Sequence, residues 1–307
     1  MYCIIDMINA QEIKMKVKEI APAKINLYLD VISKREDGFH NIETLMQSIT
    51  LADEVEIEYF DDNLGNVSFS IVGNNTLLTD DSNLVIRAVR SYKEKYPFTG
   101  SLAITLNKSI PICAGLAGGS TDAAATLRAL NRIFDYPLSI DELLSIGSTL
   151  GSDVPFCILG GTALCRSRGE DITPLDIDMP LCLVVAKTNE SVSTPMAYKL
   201  IDDAYGDFKI PRLSNDRKLV LESLLSGKCD KLYNIFEPHV LAQCKKSKYV
   251  FEKLNDLGAS AVLMSGSGPS IFGIFNDKKT AKEAVNALRR EVDFVCYAEN
   301  IKYKCKQ

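Results

Sequence analysis

Residues 111–122 read Pro111-Ile112-Cys113-Ala114-Gly115-Leu116-Ala117-Gly118-Gly119-Ser120-Thr121-Asp122. Small side chains let a backbone approach a ligand closely and present several N–H groups at one point. Directly behind them, Ala123, Leu127, Leu130 and Phe134 recur at helical spacing, so the positive end of a helix dipole stands at the same place. Ser120 or Thr121 is the expected N-cap. This combination suits an anion such as the phosphates of a nucleotide. It also suits a tight, closely packed turn ahead of a helix. No lysine follows the glycines, and their spacing is not the Gly-x-Gly-x-x-Gly of a dinucleotide fold, so neither of those two phosphate motifs is present.

Upstream, Lys16–Ile32 reads as strands around Ala21–Val31: Leu27, Leu29 and Val31 alternate with Tyr28 and Asp30. Lys24 is a charge inside that otherwise apolar stretch. It needs a polar partner or a ligand there, or it is an edge lysine reaching out to water. Arg35-Glu36-Asp37-Gly38 is a turn signal, followed by Phe39 and His40, which form either an ordinary turn or an aromatic platform with a hydrogen-bonding group. Residues 53–59 alternate again, 83–92 have helical spacing, and Leu102, Ile104 and Leu106 mark another strand.

Downstream, Ser139-Ile-Asp-Glu142 is a capping box that opens a helix toward Leu150. Gly151-Ser-Asp-Val-Pro155 breaks it, Asp153 reads there as a turn or capping residue, and Val154 before proline is pushed toward extended geometry. A short apolar strand is expected at 181–186, a helix at 217–225 and a final helix at 279–290. Ala261–Phe275 reads as strand, glycine turn, strand, with Gly266-Ser-Gly-Pro269 serving either as a plain hairpin or as a second surface over a ligand. Strands and helices mix without a regular βαβ rhythm, which predicts an α+β fold.

The 307 residues are 46% hydrophobic and 24% charged, the balance of a globular protein, and the length suggests two domains. A net charge of −5 argues against non-specific nucleic-acid binding. Nine scattered cysteines without a Cys-x-x-Cys, and only two histidines, argue against a disulfide framework or structural zinc. The first residues have no basic start and no long apolar run, so neither a secretory signal nor a membrane span is expected, and the protein is expected to be cytoplasmic.

Several stretches together carry a resemblance: Ala21-Pro-Ala-Lys-Ile-Asn-Leu27, Arg35-Glu-Asp-Gly-Phe-His40, Pro111–Asp122, Gly151-Ser-Asp-Val-Pro-Phe156, Gly160-Gly-Thr-Ala163, Arg168-Gly-Glu170, Thr194-Pro195, Asn234-Ile-Phe-Glu237 and Ser265-Gly-Ser-Gly268. The chain resembles the GHMP kinase superfamily, and within it the branch acting on a cytidine-diphosphate-linked methylerythritol. The Pro-Ala-Lys and Asp-Gly-Phe-His segments are the specific part, because the glycine loop is common to the superfamily. The resemblance implies a two-lobe fold, with an N-terminal lobe like the second domain of ribosomal protein S5 and a ferredoxin-like C-terminal lobe. It divides the chain into an extension (1–14) and lobes at 15–170 and 171–307.

By position, the resemblance makes Lys24 and Asp153 the catalytic pair and Asn26 a further polar group beside the acceptor. Phe39, His40, Thr194, Pro195 and Tyr198 become the cytosine pocket. Residues 111–121 become the ATP phosphate loop, with Asn83 and Lys108 near the adenosine. ATP with Mg²⁺ and the small-molecule acceptor are the implied partners, with no nucleic acid and no membrane. The sequence offers no carboxylate cage, so Mg²⁺ is expected to be carried largely by ATP and water. Phe39 stands where the family commonly has Tyr. Cys113 and Ala117 stand where it often has Gly, so altered torsions are expected there. The rival readings are a mevalonate- or homoserine-type kinase, disfavoured by Asp-Gly-Phe-His and Tyr198, and an S5-like RNA-binding module, disfavoured by the acidic balance.

Overall fold

A computed structural model describes residues 12–73, 76–177, 180–206, 219–220, 222–223, 226, 228 and 231–302. Two sheets organise them. The first has seven strands in the path β3-β4-β2-β1-β8, with β5 paired to β2 and β6 to β5. Its spine is an antiparallel pair of long strands, β1 (Met15–Lys34) and β2 (His40–Phe60). Around it lie β3 (Val67–Val72), β4 (Ser101–Asn107), β5 (Thr162–Ser167), β6 (Asp171–Leu175) and β8 (Tyr233–Asn234).

The second sheet is formed by β7 (Cys182–Lys187), β9 (Ala261–Met264), β10 (Ile271–Phe275) and β11 (Phe294–Glu299). Its spatial order is β11-β7-β10-β9, with every neighbour antiparallel. Taken in chain order this is a βαββαβ unit, the ferredoxin-like arrangement. The α+β expectation holds. The last strand of the first sheet ends at Leu175 and the second sheet begins at Cys182. A division after residue 170 therefore separates β6 from its own sheet, because β6 pairs with β5.

Eight helices complete the described residues. In the first lobe, α1 (Leu84–Lys95), α2 (Gly118–Ile133), α3 (Ile140–Leu150) and α4 (Val154–Leu159) cover the sheet. In the second lobe, α5 (Thr194–Tyr205), α6 (Glu237–Gln243), α7 (Lys245–Asp256) and α8 (Lys278–Leu288) do the same. The helix expected at 217–225 lies largely outside the described residues, as do residues 1–11 of the extension.

Three local features position the site. First, β1 slips register between Pro22 and Lys24 and again between Asn26 and Tyr28. A proline has no N–H for the ladder, and bulges re-aim side chains. Lys24 and Asn26, two residues apart, share one face, while Ala23, Ile25 and Leu27 are buried in the core on the other. Second, α2 is buried almost throughout, from Thr121 to Leu130, so its N-terminus is fixed in the molecule's interior. Third, Val154 is helical rather than extended. It opens α4 with a proline in the first turn, where the missing N–H costs nothing.

Candidate active site

A cavity of about 1170 Å³ is lined by residues of both lobes. Lys24, Asn26, Phe39, His40, Asn83, Lys108, residues 111–120, Asp153, Thr194, Pro195 and Tyr198 all face it. Thr121 is the exception among the expected site residues. It is buried, and its hydroxyl donates to the Pro22 carbonyl at 2.8 Å.

The loop before α2 shows how a backbone becomes an anion site. Cys113, Gly115 and Ala117 take positive φ values of 51°, 70° and 58°. Cys113 and Ala117, which stand where the resemblance often has Gly, both adopt the left-handed geometry that a glycine favours, at a cost of order 1 kcal/mol each. Alternating backbone hands turn successive N–H groups toward one point. The helix begins at Gly118, earlier than the expected cap at Ser120 or Thr121, because Ala117 takes the N-cap position. Alanine has no side-chain oxygen, and no side-chain cap forms. The first-turn N–H groups are therefore left for a ligand.

The loop is also held from behind. Lys24 N donates to Leu116 O at 3.1 Å, and Ser265 Oγ donates to Gly115 O at 3.0 Å. A Cβ on Gly115 would stand 2.2 Å from Ser265 O, so glycine is required there by close approach as well as by torsion. The Gly266–Pro269 turn is thus both a hairpin between β9 and β10 and a second wall of the cavity. Asn234 Nδ2 anchors it, donating to Met264 O at 2.7 Å and Gly266 O at 2.8 Å. Glu237 accepts from Met264 N at 2.7 Å. Burial pushes the Glu237 carboxyl up to about 7, with that hydrogen bond pulling the other way.

Lys24 is not an edge residue. Its side chain is 5% exposed, and Nζ lies 3.6 Å from Asp153 Oδ2. Nζ also donates to Asn26 Oδ1 at 2.7 Å; Asn26 Nδ2 donates to Thr44 Oγ1, and that hydroxyl to Tyr28 O. This chain fixes the ammonium while leaving Asp153, 31% exposed, open to the cavity. Asp153 precedes α4 without capping it through its side chain, so the carboxylate is free to act on a ligand. Burial first, and the Asp153 charge second, push the nearby Cys157 thiol and Tyr198 phenol well above their ordinary values. Both stay protonated beside it.

The opposite end of the cavity is built from aromatic groups. His40 stacks on Tyr198 with ring centroids 4.6 Å apart, and Tyr198 meets Phe236 edge-on. Phe39 is exposed, with the Arg168 guanidinium 5.0 Å from its ring centroid. Thr194 Oγ1 lies 3.1 Å from Ser267 Oγ, tying the start of α5 to the glycine turn.

Some participants were invisible in the sequence. Asp202, on α5, sits 2.9 Å from His40 Nε2 and 2.6 Å from Lys34 Nζ. Its carboxyl lies below the usual range: burial raises it, but hydrogen bonds from Lys34 and His40 lower it further. Asn83 lines the cavity, yet its side chain caps α1 and bonds Leu78 O. Lys108 is no free cation either, being paired with Asp53 and Asp122.

Among the described residues, no group of three or more His, Cys, Asp or Glu side chains could hold a metal ion. No helix there is long and apolar enough to cross a membrane. The six cysteines among them are free thiols.

Residues 83–161 match the GHMP kinases N terminal domain and residues 213–293 the GHMP kinases C terminal domain. The chain is 38% identical over 282 residues to the 4-diphosphocytidyl-2-C-methyl-D-erythritol kinase of Bacillus velezensis, covering 92% of this chain and 96% of that one. A crystal structure of 4-(cytidine 5'-diphospho)-2C-methyl-D-erythritol kinase superposes with a TM-score of 0.79 at 32% identity, covering 94% of this chain and all of the other. L. major mevalonate kinase, at TM-score 0.76 but 15% identity over 96% of this chain and 98% of its own, shares the fold. The chain belongs to the GHMP kinase superfamily and, within it, to the 4-diphosphocytidyl-2-C-methyl-D-erythritol kinase family.

Proposed function

We propose that the protein transfers the γ-phosphoryl group of ATP to the 2-hydroxyl of 4-diphosphocytidyl-2-C-methyl-D-erythritol, giving the 2-phosphate and ADP, in non-mevalonate isoprenoid biosynthesis in the cytoplasm. The observation that carries this reading is the Lys24–Asp153 pair, 3.6 Å apart, in one cavity with an uncapped helix N-terminus and the His40–Tyr198 stack.

Phosphoryl transfer needs alignment and charge stabilisation more than covalent chemistry. Asp153 accepts the proton of the acceptor hydroxyl as its oxygen bonds to the γ-phosphorus and the bond to the β-phosphate oxygen breaks. Lys24, held by Asn26, stabilises the negative charge that develops between them. The N–H groups of the loop and of the first turn of α2 hold the phosphates. His40 hydrogen-bonds the cytosine edge, and Phe39, Pro195 and Tyr198 supply its apolar contacts. Mg²⁺ neutralises phosphate charge when bound. Among the described residues no group of three or more His, Cys, Asp or Glu could cage it, so ATP and water would carry most of its coordination.

Coupled ADP release against a panel of alcohols tests the proposal. Turnover should appear with the cytidylyl substrate and be at least tenfold weaker, in kcat/KM, with mevalonate and homoserine. Preference for either of those would overturn the acceptor assignment while keeping the kinase. ADP release with none of them would overturn both.

A further inference from the structure

Beneath the phosphate loop lies a buried ion cluster. Lys108, just past β4, donates through Nζ to Asp53 of β2 and, at 2.8 Å, to Asp122 Oδ2 of α2. All three side chains are at most 5% exposed. Asp53 Oδ1 also accepts from the backbone of Ser109 and Ile110, at 2.6 and 2.8 Å, so the cluster holds the chain that enters the loop. A Cβ on Gly118, the first residue of α2, would lie 3.3 Å from Lys108 Nζ. The cluster therefore reaches the phosphate site from below.

Its charge does not balance. One ammonium faces two carboxylates, and both Lys108 and Asp122 line a cavity suited to a polyanion. Moreover, Asp122 Oδ1 is buried with no hydrogen-bond partner. An ionised oxygen left so is costly. A proton on Oδ1 removes the cost of the buried charge, leaves Oδ2 accepting from Lys108, and makes the cluster neutral.

We propose that Asp122 is a positioning residue which must be protonated for ATP to bind, so that ATP binding at alkaline pH takes up one proton. The inference rests on the nucleotide reading above. Burial first, with the nearby Asp53 carboxylate adding to it, pushes the Asp122 carboxyl up to about 8 against the pull of Lys108. Those two are the charged groups facing it, from β2 and from the segment after β4; α1 presents the apolar Leu84 to this end of α2. A bound polyanion favours the neutral form further. ATP affinity is then flat below about pH 8 and falls by up to roughly tenfold per pH unit above it, one proton being linked.

Calorimetric titration of the full chain with ATP, without acceptor, tests this. At about pH 8.5 the γ-phosphate of ATP is fully ionised, and buffers of different ionisation heat report the protons exchanged. Wild type should take up a proton fraction that grows toward one as pH rises, and Asp122→Asn should abolish the uptake and flatten the affinity profile. No uptake in wild type would overturn the proposal even if the variant failed to fold. Equal uptake in Asp122→Asn would also overturn it, assigning the proton elsewhere. Absence of any ATP heat at about pH 7 would instead remove the nucleotide reading, and the proposal with it.

Discussion

The two ends of the cavity are made of different material. The end we assign to the nucleotide is backbone: left-handed residues at 113, 115 and 117, an uncapped helix start, and a glycine pressed against Ser265 O. The end we assign to the acceptor is side chains: Lys24, Asn26, Asp153, His40 and Tyr198, each oriented by a named partner. A backbone site is specified by what its residues lack, so many sequences build it and it reads only as a phosphate site. A side-chain site is specified by functional groups, so it discriminates among acceptors. The fold itself is shared with L. major mevalonate kinase at 15% identity.

The largest effect is expected where the two ends meet. Asp153→Asn keeps size and a hydrogen bond but loses the base and its charge, and should lower kcat by roughly 10²-fold or more with little change in either KM. Lys24→Met should behave alike. The double variant should lose less than the product, because the pair acts as a unit. Steady-state rates at saturating substrates check this, and an unaffected kcat in Asp153→Asn would leave alignment alone as the source of catalysis.

A smaller effect sharpens the contrast from the nucleotide end. Gly118→Val places branches into contacts already at 3.3 Å, with Lys108 Nζ and Ile110 Cγ2. Overpacking of this kind costs about 1–3 kcal/mol, so the KM for ATP should rise roughly tenfold while that for the acceptor stays. A parallel rise in both would show that the two ends are not separable.

Smaller still is Asp202→Asn. It leaves His40 a weaker partner than a carboxylate, and the acceptor KM should rise by roughly threefold, the scale of one hydrogen bond's net worth. An unchanged value would make Asp202 an incidental neighbour.

The least effect on the reaction comes from Glu237, behind the glycine turn. Its folded-state value of about 7 exceeds the ordinary 4.5. The folded protein therefore holds this proton longer than the unfolded chain, and the stability it confers, complete below about pH 4.5, is lost as pH rises to about 7. Glu237→Gln should remove that part of the slope in thermal unfolding across the window. An identical slope in the variant would place the titration elsewhere.

Much of this was legible in the sequence where the signal is local. The glycine loop, the Ser139 capping box and the hairpin at 261–275 each depend on residues a few positions apart. Lys24 was visible as a charge inside an apolar strand, whereas Asn26 came only from the family resemblance. What escaped was assembled by the fold. Asp202 lies 162 positions from His40, and Asp53 lies 55 from Lys108; each is an ordinary acid in its own segment. The start of α2 was misplaced because a side-chain cap was sought where the structure leaves the N–H groups open. Strand β8 was too short to show periodicity, and β11 followed the last helix without a turn signal strong enough to announce it.

The central claim is that side chains at one end choose the acceptor while backbone at the other holds ATP, and one comparison tests it most directly. Calorimetric binding of ATP and of the cytidylyl substrate should be measured on the same preparation of folded His40→Ala. The account predicts an acceptor affinity weakened by about 1–3 kcal/mol and an unchanged ATP affinity. Equal weakening of both ligands would contradict it, making His40 a structural residue and the division of labour an illusion of geometry.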